Sequence, residues 1–477
     1  MRCDLAVIGA GPAGLAAATR AAEAGLAVEL FDEQPAPGGQ IYRAVESVPA
    51  ARRALLGPDY AAGAELAAAF RASGAGYRPG ALVWNVDSTL DIDFSQGGRS
   101  RQCRARALVV ATGALERPTP LPGWTLPGVT TAGALQILLK AHGCVPSEGA
   151  ILAGSGPLLL LLADQLTRAG APPRAVVETV PRGRLLEAAR HLPAALGAPG
   201  YLAKGLRMIR ALRRAGVPLH RHATDLVIEG REQAEALSFT AGGRRHRIES
   251  GLVALHQGVV PNQQVTRLLR CAHRWSDSQR CFLPVLDPWF ESSVEKVFVA
   301  GDGAGIGGAA SAALRGRLAA LGVLRRFGAL DGAALEQEAG GLRRRLVRDG
   351  AVRPLLEALY APSAQVLAPA DETLVCRCEE VTAGQIRQAV RLGCPGPNQA
   401  KSFLRCGMGP CQGRMCGLAV TEIIAAERGE VPQTVDYYRI RPPLKPLPLI
   451  ELASFEAAED QPGDAPPDAP PDDRDAA

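Results

Sequence analysis

Apolar residues in this chain fall into short unbroken runs, separated by longer stretches in which they recur at helical spacing. Residues 5–8 form such a run, an Ala-rich helical stretch carries the chain to Ala24, and a second run covers 27–31. Strands buried on both faces of a parallel sheet require unbroken apolar runs, so this order predicts a strand-helix-strand unit. The order returns at 150–153, 157–169 and 175–177, which predicts a second α/β domain of the same kind. Residues 202–215 then read as a helix, short strands and basic turns follow, and the chain rejoins the first domain at Leu252. Helical periodicity at 335–359 is interrupted by Gly350 and Pro354, which predicts two short helices, and 362–373 is a Pro/Ala linker. Further helices are expected at 383–392 and after Cys416. From 430 to 448 the chain is proline-rich and extended, suited to a strap over this or a neighbouring subunit. The acidic, Pro-rich stretch 456–477 lacks the apolar content to fold.

Both α/β units carry glycines at the turn after their first strand. The first reads Gly9-Ala-Gly11-Pro-Ala-Gly14. Gly9 permits a sharp turn, Gly11 lets the backbone approach a pyrophosphate, and Gly14 lets helix and strand pack closely, with the diphosphate on the helix N-terminus. Asp32 ends the next strand, at a spacing that suits a carboxylate accepting hydrogen bonds from ribose hydroxyls, and Glu33 is the fallback. A glycine turn that merely packs a helix would leave that terminal acid unexplained. The second unit keeps Gly154 and Gly156 but has Leu159 for the third glycine, and Glu178 is its terminal acid. Glu178 suits NAD over NADP, whereas Leu159 at the close helix-strand contact widens the crevice or changes the helix angle. This leaves NAD(P), another adenine nucleotide, or a retained structural domain. The fold class is therefore α/β, with two Rossmann-like dinucleotide-binding domains, the second inserted in the first, and a small helical C-terminal domain. Expected boundaries are 1–145 with 251–330, then 146–250, a helical bridge at 331–370, the cysteine-rich domain at 371–430, a strap at 431–455 and a tail at 456–477. His256 stands at a strand end before a turn, more often a scaffold position than one facing a cofactor.

Cysteine chemistry dominates the C-terminal part. Cys376-Arg-Cys378 is followed by Cys406-Gly-Met-Gly-Pro-Cys411-Gln-Gly-Arg-Met-Cys416. Two close pairs supply the four thiolates that hold an iron-sulfur cluster or a zinc ion. Structural zinc more often uses wider spacing in both halves than the first pair shows. Gly407, Gly409, Pro410 and Gly413 favour a tight loop that turns backbone N–H groups toward sulfur. No closely spaced cysteine pair stands near the first glycine turn or in the second unit, which argues against disulfide-reductase chemistry. Eleven cysteines and an N-terminus without an export pattern predict reduced thiols and a cytoplasmic protein. A formal charge of +5 in 477 residues does not point to nucleic acid or a membrane surface. No transmembrane segment is expected either, because the long apolar run at 151–162 is too short and is broken by Gly154, Gly156 and Pro157.

Several segments resemble known flavoproteins. Pro37-Gly-Gly39-Gln40-Ile-Tyr42 is similar to the loop that approaches the flavin in two-dinucleotide-binding-domain flavoproteins, and this makes the first dinucleotide FAD. Ala111-Thr112-Gly113 resembles the turn used beside FAD in that superfamily. Gly301-Asp302 resembles its Gly-Asp at the ribityl chain or phosphate, with the helix after it aiming its positive end at the flavin. The inserted domain of those proteins holds NAD(P)H against the flavin. The cysteine stretch resembles the bacterioferritin-associated-ferredoxin type of [2Fe-2S] domain, and by that match the ligands are Cys376, Cys378, Cys411 and Cys416, leaving Cys406 and Cys394 over.

The phrases starting at Asp32, Leu121 and Cys406 carry a resemblance, over residues 1–430, to the FAD- and [2Fe-2S]-containing subunits of opine oxidases, D-hydroxyproline dehydrogenases and hydrogen cyanide synthase. That family implies an FAD-dependent oxidoreductase that relays electrons between FAD and a [2Fe-2S] cluster within a heteromeric amino-acid or opine dehydrogenase or oxidase. The implied partners are an amino-acid-oxidase-like flavoprotein subunit, which holds the small-molecule substrate, and a small ferredoxin-like subunit. No residue reads as a substrate base, so no catalytic residue is assigned. The rival readings are a self-sufficient NAD(P)H-dependent FAD oxidoreductase and a non-enzymatic iron-sulfur assembly or iron-handling module.

Overall fold

The computed structural model describes residues 1–455, and the acidic tail expected at 456–477 lies outside them. The first apolar run becomes the strand Arg2–Ile8, and the Ala-rich stretch becomes the helix Pro12–Glu23. Small side chains let that helix lie directly against Ala309–Arg326, where a Cβ on Gly316 would collide with the Ala13 carbonyl. Arg2–Ile8 sits inside a seven-stranded sheet. Its order is Gly76–Pro79, Val28–Asp32, Arg2–Ile8, Arg99–Val110, Asp91–Gln96, Leu82–Val86, with Val297–Val299 also paired to Arg99–Val110. The strands around Arg2–Ile8 are parallel, so the residues that follow them, from Gly9 to Asp32 to Ala111 to Gly301, gather at one edge of the sheet.

The second sheet has five parallel strands in the order Leu219–His220, Ala175–Glu178, Ile151–Ser155, Val253–Gln257, Val129–Thr131. Its membership corrects the boundaries read from the sequence. Val129–Thr131 and Val253–Gln257 lie outside 146–250 yet belong to this sheet, and Ala132–His142 packs into the same core. The two domains are joined instead by an antiparallel pair, Ala114–Glu116 with Val259–Pro261. Strands of three residues carry no readable periodicity, which is why the crossing point was not visible.

The bridge also differs from expectation. Its first helix, Gly332–Gly350, is not short, because Asp331 caps its N-terminus and Leu335, Ala339 and Leu342 bury one face against Leu318 and Leu321. A second helix, Arg353–Leu359, follows. Asp349 accepts hydrogen bonds from Ser311 of the first domain and Tyr201 of the second, so the bridge ties both. The cysteine-rich domain packs the helices Ala383–Arg391, Pro397–Leu404 and Gly417–Arg428 around its loops. The strap is no mere surface covering. It buries Tyr437, Tyr438, Ile440 and Leu444, and Leu444 donates its N–H to the Trp84 carbonyl at 2.7 Å. Among the described residues no helix is long and apolar enough to cross a membrane.

Candidate functional site

The first glycine turn is tight behind and open in front. Gly9 takes φ +106°, and a Cβ there would stand 2.5 Å from the Ala111 carbonyl oxygen, while a Cβ on Gly14 would collide with the Gly9 carbonyl. Gly11 has no such neighbour: its nearest obstacle is the Gly39 Cα at 3.9 Å, so the space where a pyrophosphate approaches is clear. Gly301, at φ +71°, packs on Ala13 and brings Gly301-Asp302 to the same helix start. Asp302 spends one oxygen on the Gly307 and Gly308 N–H groups, at 2.8 and 3.0 Å, fixing the loop that opens Ala309–Arg326. Asn262 holds the next turn, donating its N–H to Gly113 at 2.9 Å and accepting from the Thr112 hydroxyl at 3.3 Å. Gln40 is exposed, and its carbonyl accepts from the buried Lys140 ammonium at 3.3 Å. Desolvation drives the Lys140 pKa down to about 7, with Arg43 adding to it.

The two acids at the end of Val28–Asp32 are busier than expected. Asp32 accepts from the Ala10 N–H at 2.6 Å and the Gln34 N–H at 2.7 Å. Burial pushes its pKa up, and those two bonds oppose the shift. Each oxygen keeps one lone-pair direction for a ribose hydroxyl. Glu33 is ion-paired with Lys445 of the strap. The buried Nε of Arg43 has no partner among the described residues, a donor left over for a bound anion or carbonyl. An open slot, a helix start and an orphan donor at one sheet edge fit a dinucleotide such as FAD.

The second glycine turn is filled. A Cβ on Gly154 would collide with the His256 carbonyl, and one on Gly156, at φ +136°, would stand 2.8 Å from His256 Cδ2 and Nε2. The imidazole thus packs directly beside Gly156, whereas no side chain stands as near to Gly11. Glu116 holds it there: Oε1 lies 2.6 Å from His256 Nδ1, and Oε2 accepts from the Gly133 N–H at 2.7 Å. Glu178 is mostly buried, which raises its pKa against the pull of Arg221, 3.8 Å away. Tyr360 of the bridge lies beside it, its own pKa pushed up to about 12 by burial and then by Glu178.

The thiols gather in two groups. The sulfurs of Cys376, Cys406 and Cys416 lie within 4.8 Å of one another and are buried, while Cys378 and Cys411 share a hydrogen bond nearer the surface. Of the four predicted ligands, Cys376 and Cys416 thus lie in the inner group and Cys378 and Cys411 in the outer one. Cys406, left over in the sequence reading, joins the inner group, whereas Cys394 points its thiol at the Gly396 carbonyl. Hydrogen bonds from Cys406 and Cys416, and then from the Gly407 and Glu379 N–H groups, outweigh burial and hold the Cys376 thiol down at about 2. A Cβ on Gly409 would collide with Cys378, so glycine is what lets this loop close. Soft sulfur donors in an inner group of three and an outer pair offer enough thiolates for the two irons of a [2Fe-2S] cluster.

The cysteine domain docks on both nucleotide domains. Trp124 donates its indole N–H to the Leu374 carbonyl at 2.7 Å, and Arg280 pairs with the buried Glu422 at 2.9 Å. Aromatic contacts lead inward from the thiols: Tyr438 meets Tyr437 with centroids 5.7 Å apart, and Tyr437 meets Phe282 at 6.2 Å. Gln263 donates to the Phe282 carbonyl at 3.0 Å, and its neighbour Asn262 holds Gly113. Ring contacts, hydrogen bonds and the Asn262–Gln263 backbone thus link the sulfur site stepwise to the Ala111-Thr112-Gly113 turn.

Comparison with known proteins agrees with this geometry. The family model for pyridine nucleotide-disulphide oxidoreductase matches residues 3–316, and that for the BFD-like [2Fe-2S] binding domain matches 374–426. An opine oxidase subunit of Rhizobium meliloti is 46% identical over 453 residues, covering 94% of this chain and 98% of that one. Hydrogen cyanide synthase subunit HcnB of Pseudomonas aeruginosa is 33% identical over 457 residues, covering 93% and 96%. Among solved structures, L-proline dehydrogenase from P. horikoshii shares the fold, with a TM-score of 0.67 and 18% identity over 94% of this chain and 78% of that one. The chain belongs to the pyridine nucleotide-disulphide oxidoreductase family, as an FAD-dependent oxidoreductase of the opine oxidase group with a C-terminal BFD-like [2Fe-2S] domain.

Proposed function

We propose that this chain is the electron-relay subunit of a heteromeric amino-acid or opine dehydrogenase or oxidase, passing electrons between FAD and a [2Fe-2S] cluster. When bound, a flavin exchanges one or two electrons and a [2Fe-2S] cluster exchanges one, so together they turn hydride chemistry into single-electron traffic. In this reading Gly9, Gly11 and Gly14 leave room for the FAD diphosphate and Asp32 receives the ribose. Gly39, Gln40, Ala111, Thr112, Gly113, Gly301 and Asp302 frame the rest. Cys376, Cys378, Cys411 and Cys416 hold the cluster, with Cys406 as a fifth thiol in the inner group.

The observation that carries the reading is the chain of contacts from Cys416 through Tyr438, Tyr437 and Phe282, and by Gln263 and Asn262, to the turn at Gly113. A module for iron handling alone would have no need of it. The relatives are named as subunits, which supports a heteromeric complex; the partners proposed for it are an amino-acid-oxidase-like subunit that carries the substrate and a small ferredoxin-like subunit. Purification of the complex from its native host tests this. The expected result is a co-purifying flavoprotein whose amine substrate bleaches the flavin and elicits the EPR signal of a reduced cluster. A chain that purifies alone and turns over with NADH would contradict it.

A further inference from the structure

We infer that Tyr438, outside the matched [2Fe-2S] segment, belongs to the cluster site as a positioning residue: its hydroxyl donates a hydrogen bond to the Cys416 sulfur and tunes the cluster's reduction potential. The match to the [2Fe-2S] domain ends at residue 426, and Tyr438 comes from the strap that follows. Three independent features place it at the thiols. Its hydroxyl lies 3.8 Å from the Cys416 sulfur, within reach of a sulfur hydrogen bond, and also bonds toward Cys406.

Its ring fills the space left by two glycines of the thiol loop. A Cβ on Gly413 would stand 2.6 Å from the ring, and one on Gly407 would collide with it. The side chain is also only 1% exposed, so water does not compete for the hydroxyl. Two neighbours hold the ring: Tyr437 meets it edge-on at 5.7 Å while donating its own hydroxyl to the Gly413 carbonyl at 3.2 Å, and the Lys401 ammonium sits 5.1 Å above the ring.

The direction of the effect follows from charge. A thiolate bound to iron only accepts, so the tyrosine donates. Reduction adds negative charge to the cluster and its sulfurs, and a donor aimed at sulfur stabilises that state more than the oxidised one, which raises the potential. The buried hydroxyl would be costly to leave unpaired, which favours a fixed bond over a fluctuating one.

This inference rests on the [2Fe-2S] reading, and its test separates the two. The full chain is purified anaerobically as wild type, Tyr438→Phe and Tyr201→Phe, the last losing only the hydroxyl that pairs with Asp349 of the bridge. Tyr438→Phe keeps the ring, so iron and sulfide content should match wild type. Its cluster potential should move to more negative values with altered EPR g-values, while Tyr201→Phe leaves both in place. An intact cluster in Tyr438→Phe with unmoved potential and g-values overturns the inference alone. Zinc in place of iron in the wild type overturns the cluster reading and the inference with it. Should Tyr438→Phe fail to assemble, ENDOR on a Tyr437→Phe chain grown with ring-deuterated tyrosine decides. Deuterons coupled to the reduced cluster support the placement of Tyr438, and their absence rejects it.

Discussion

The two glycine turns of this chain start from nearly the same sequence and end in opposite states. Gly11 faces open space, whereas Gly156 faces the imidazole of His256, held by Glu116. At the third position Gly14 allows contact with the Gly9 carbonyl, whereas Leu159 is a buried core residue. The strand-turn-helix unit is thus a scaffold whose front can be left clear for a ligand or packed with the chain's own side chains. Residues far away in sequence shape its front: His256 packs beside Gly156, and Tyr360 lies beside Glu178.

The largest expected effect comes from breaking the open turn at its back. Gly14→Ala drives a methyl into the Gly9 carbonyl, an overpacking that costs about 3 kcal/mol or more. FAD content and soluble yield should both collapse. Leu159→Ala, the matching change in the filled turn, removes core volume at a cost of about 2–5 kcal/mol. It should lower the melting temperature while the purified protein stays yellow at full FAD stoichiometry.

A sharper contrast uses one substitution in both places. Gly11 has ordinary backbone angles, φ −75°, and no close neighbour, so Gly11→Ala should melt like wild type yet lose FAD. Gly156→Ala, at φ +136° and against His256, should melt lower and keep it. Melting curves read beside the visible flavin spectrum give the answer, and identical behaviour of the two variants would erase the contrast. In the same spirit, anaerobic NADH added to the isolated chain should leave the flavin band in place if the imidazole packed beside Gly156 keeps the second turn closed. Rapid bleaching would show that the second turn opens.

The smallest effect concerns the contact between the two regions, where Lys140 reaches the Gln40 carbonyl. Its folded pKa of about 7 lies below the ordinary 10.5, so between these values the unfolded chain binds more protons. Stability therefore rises with pH from about 7 toward 10.5, and the contribution is lost as pH falls to 7 and below. One proton sets a ceiling of about 1.4 kcal/mol per pH unit. Lys140→Met should flatten that slope in melting curves taken between pH 7 and 9 without FAD loss.

Much of the architecture was legible because it is local. Strand, glycine turn, helix and terminal acid follow one another within a few dozen residues, and each leaves a pattern of apolar or small positions. The antiparallel crossing at Ala114–Glu116 was not legible, since three residues carry no period. The pairing of Glu33 with Lys445 joins residues from opposite ends of the chain, and nothing in either neighbourhood announces it. Cys406 was visible as a thiol but not as a neighbour of Cys376, because only the closed loop brings them together. Tyr438 lies in a stretch whose composition says only that it is extended, and the glycines whose space it fills look in sequence like turn formers alone.

The central claim is that flavin and cluster share electrons within this one chain. Anaerobic titration of the isolated chain with a stoichiometric reductant, followed by visible absorption and EPR, tests it most directly. The account predicts FAD and a [2Fe-2S] cluster in equal amounts, with the cluster signal growing as the flavin band falls and both settling to a common potential. Zinc in the thiol site, or a cluster whose signal never responds while the flavin is reduced, would contradict it.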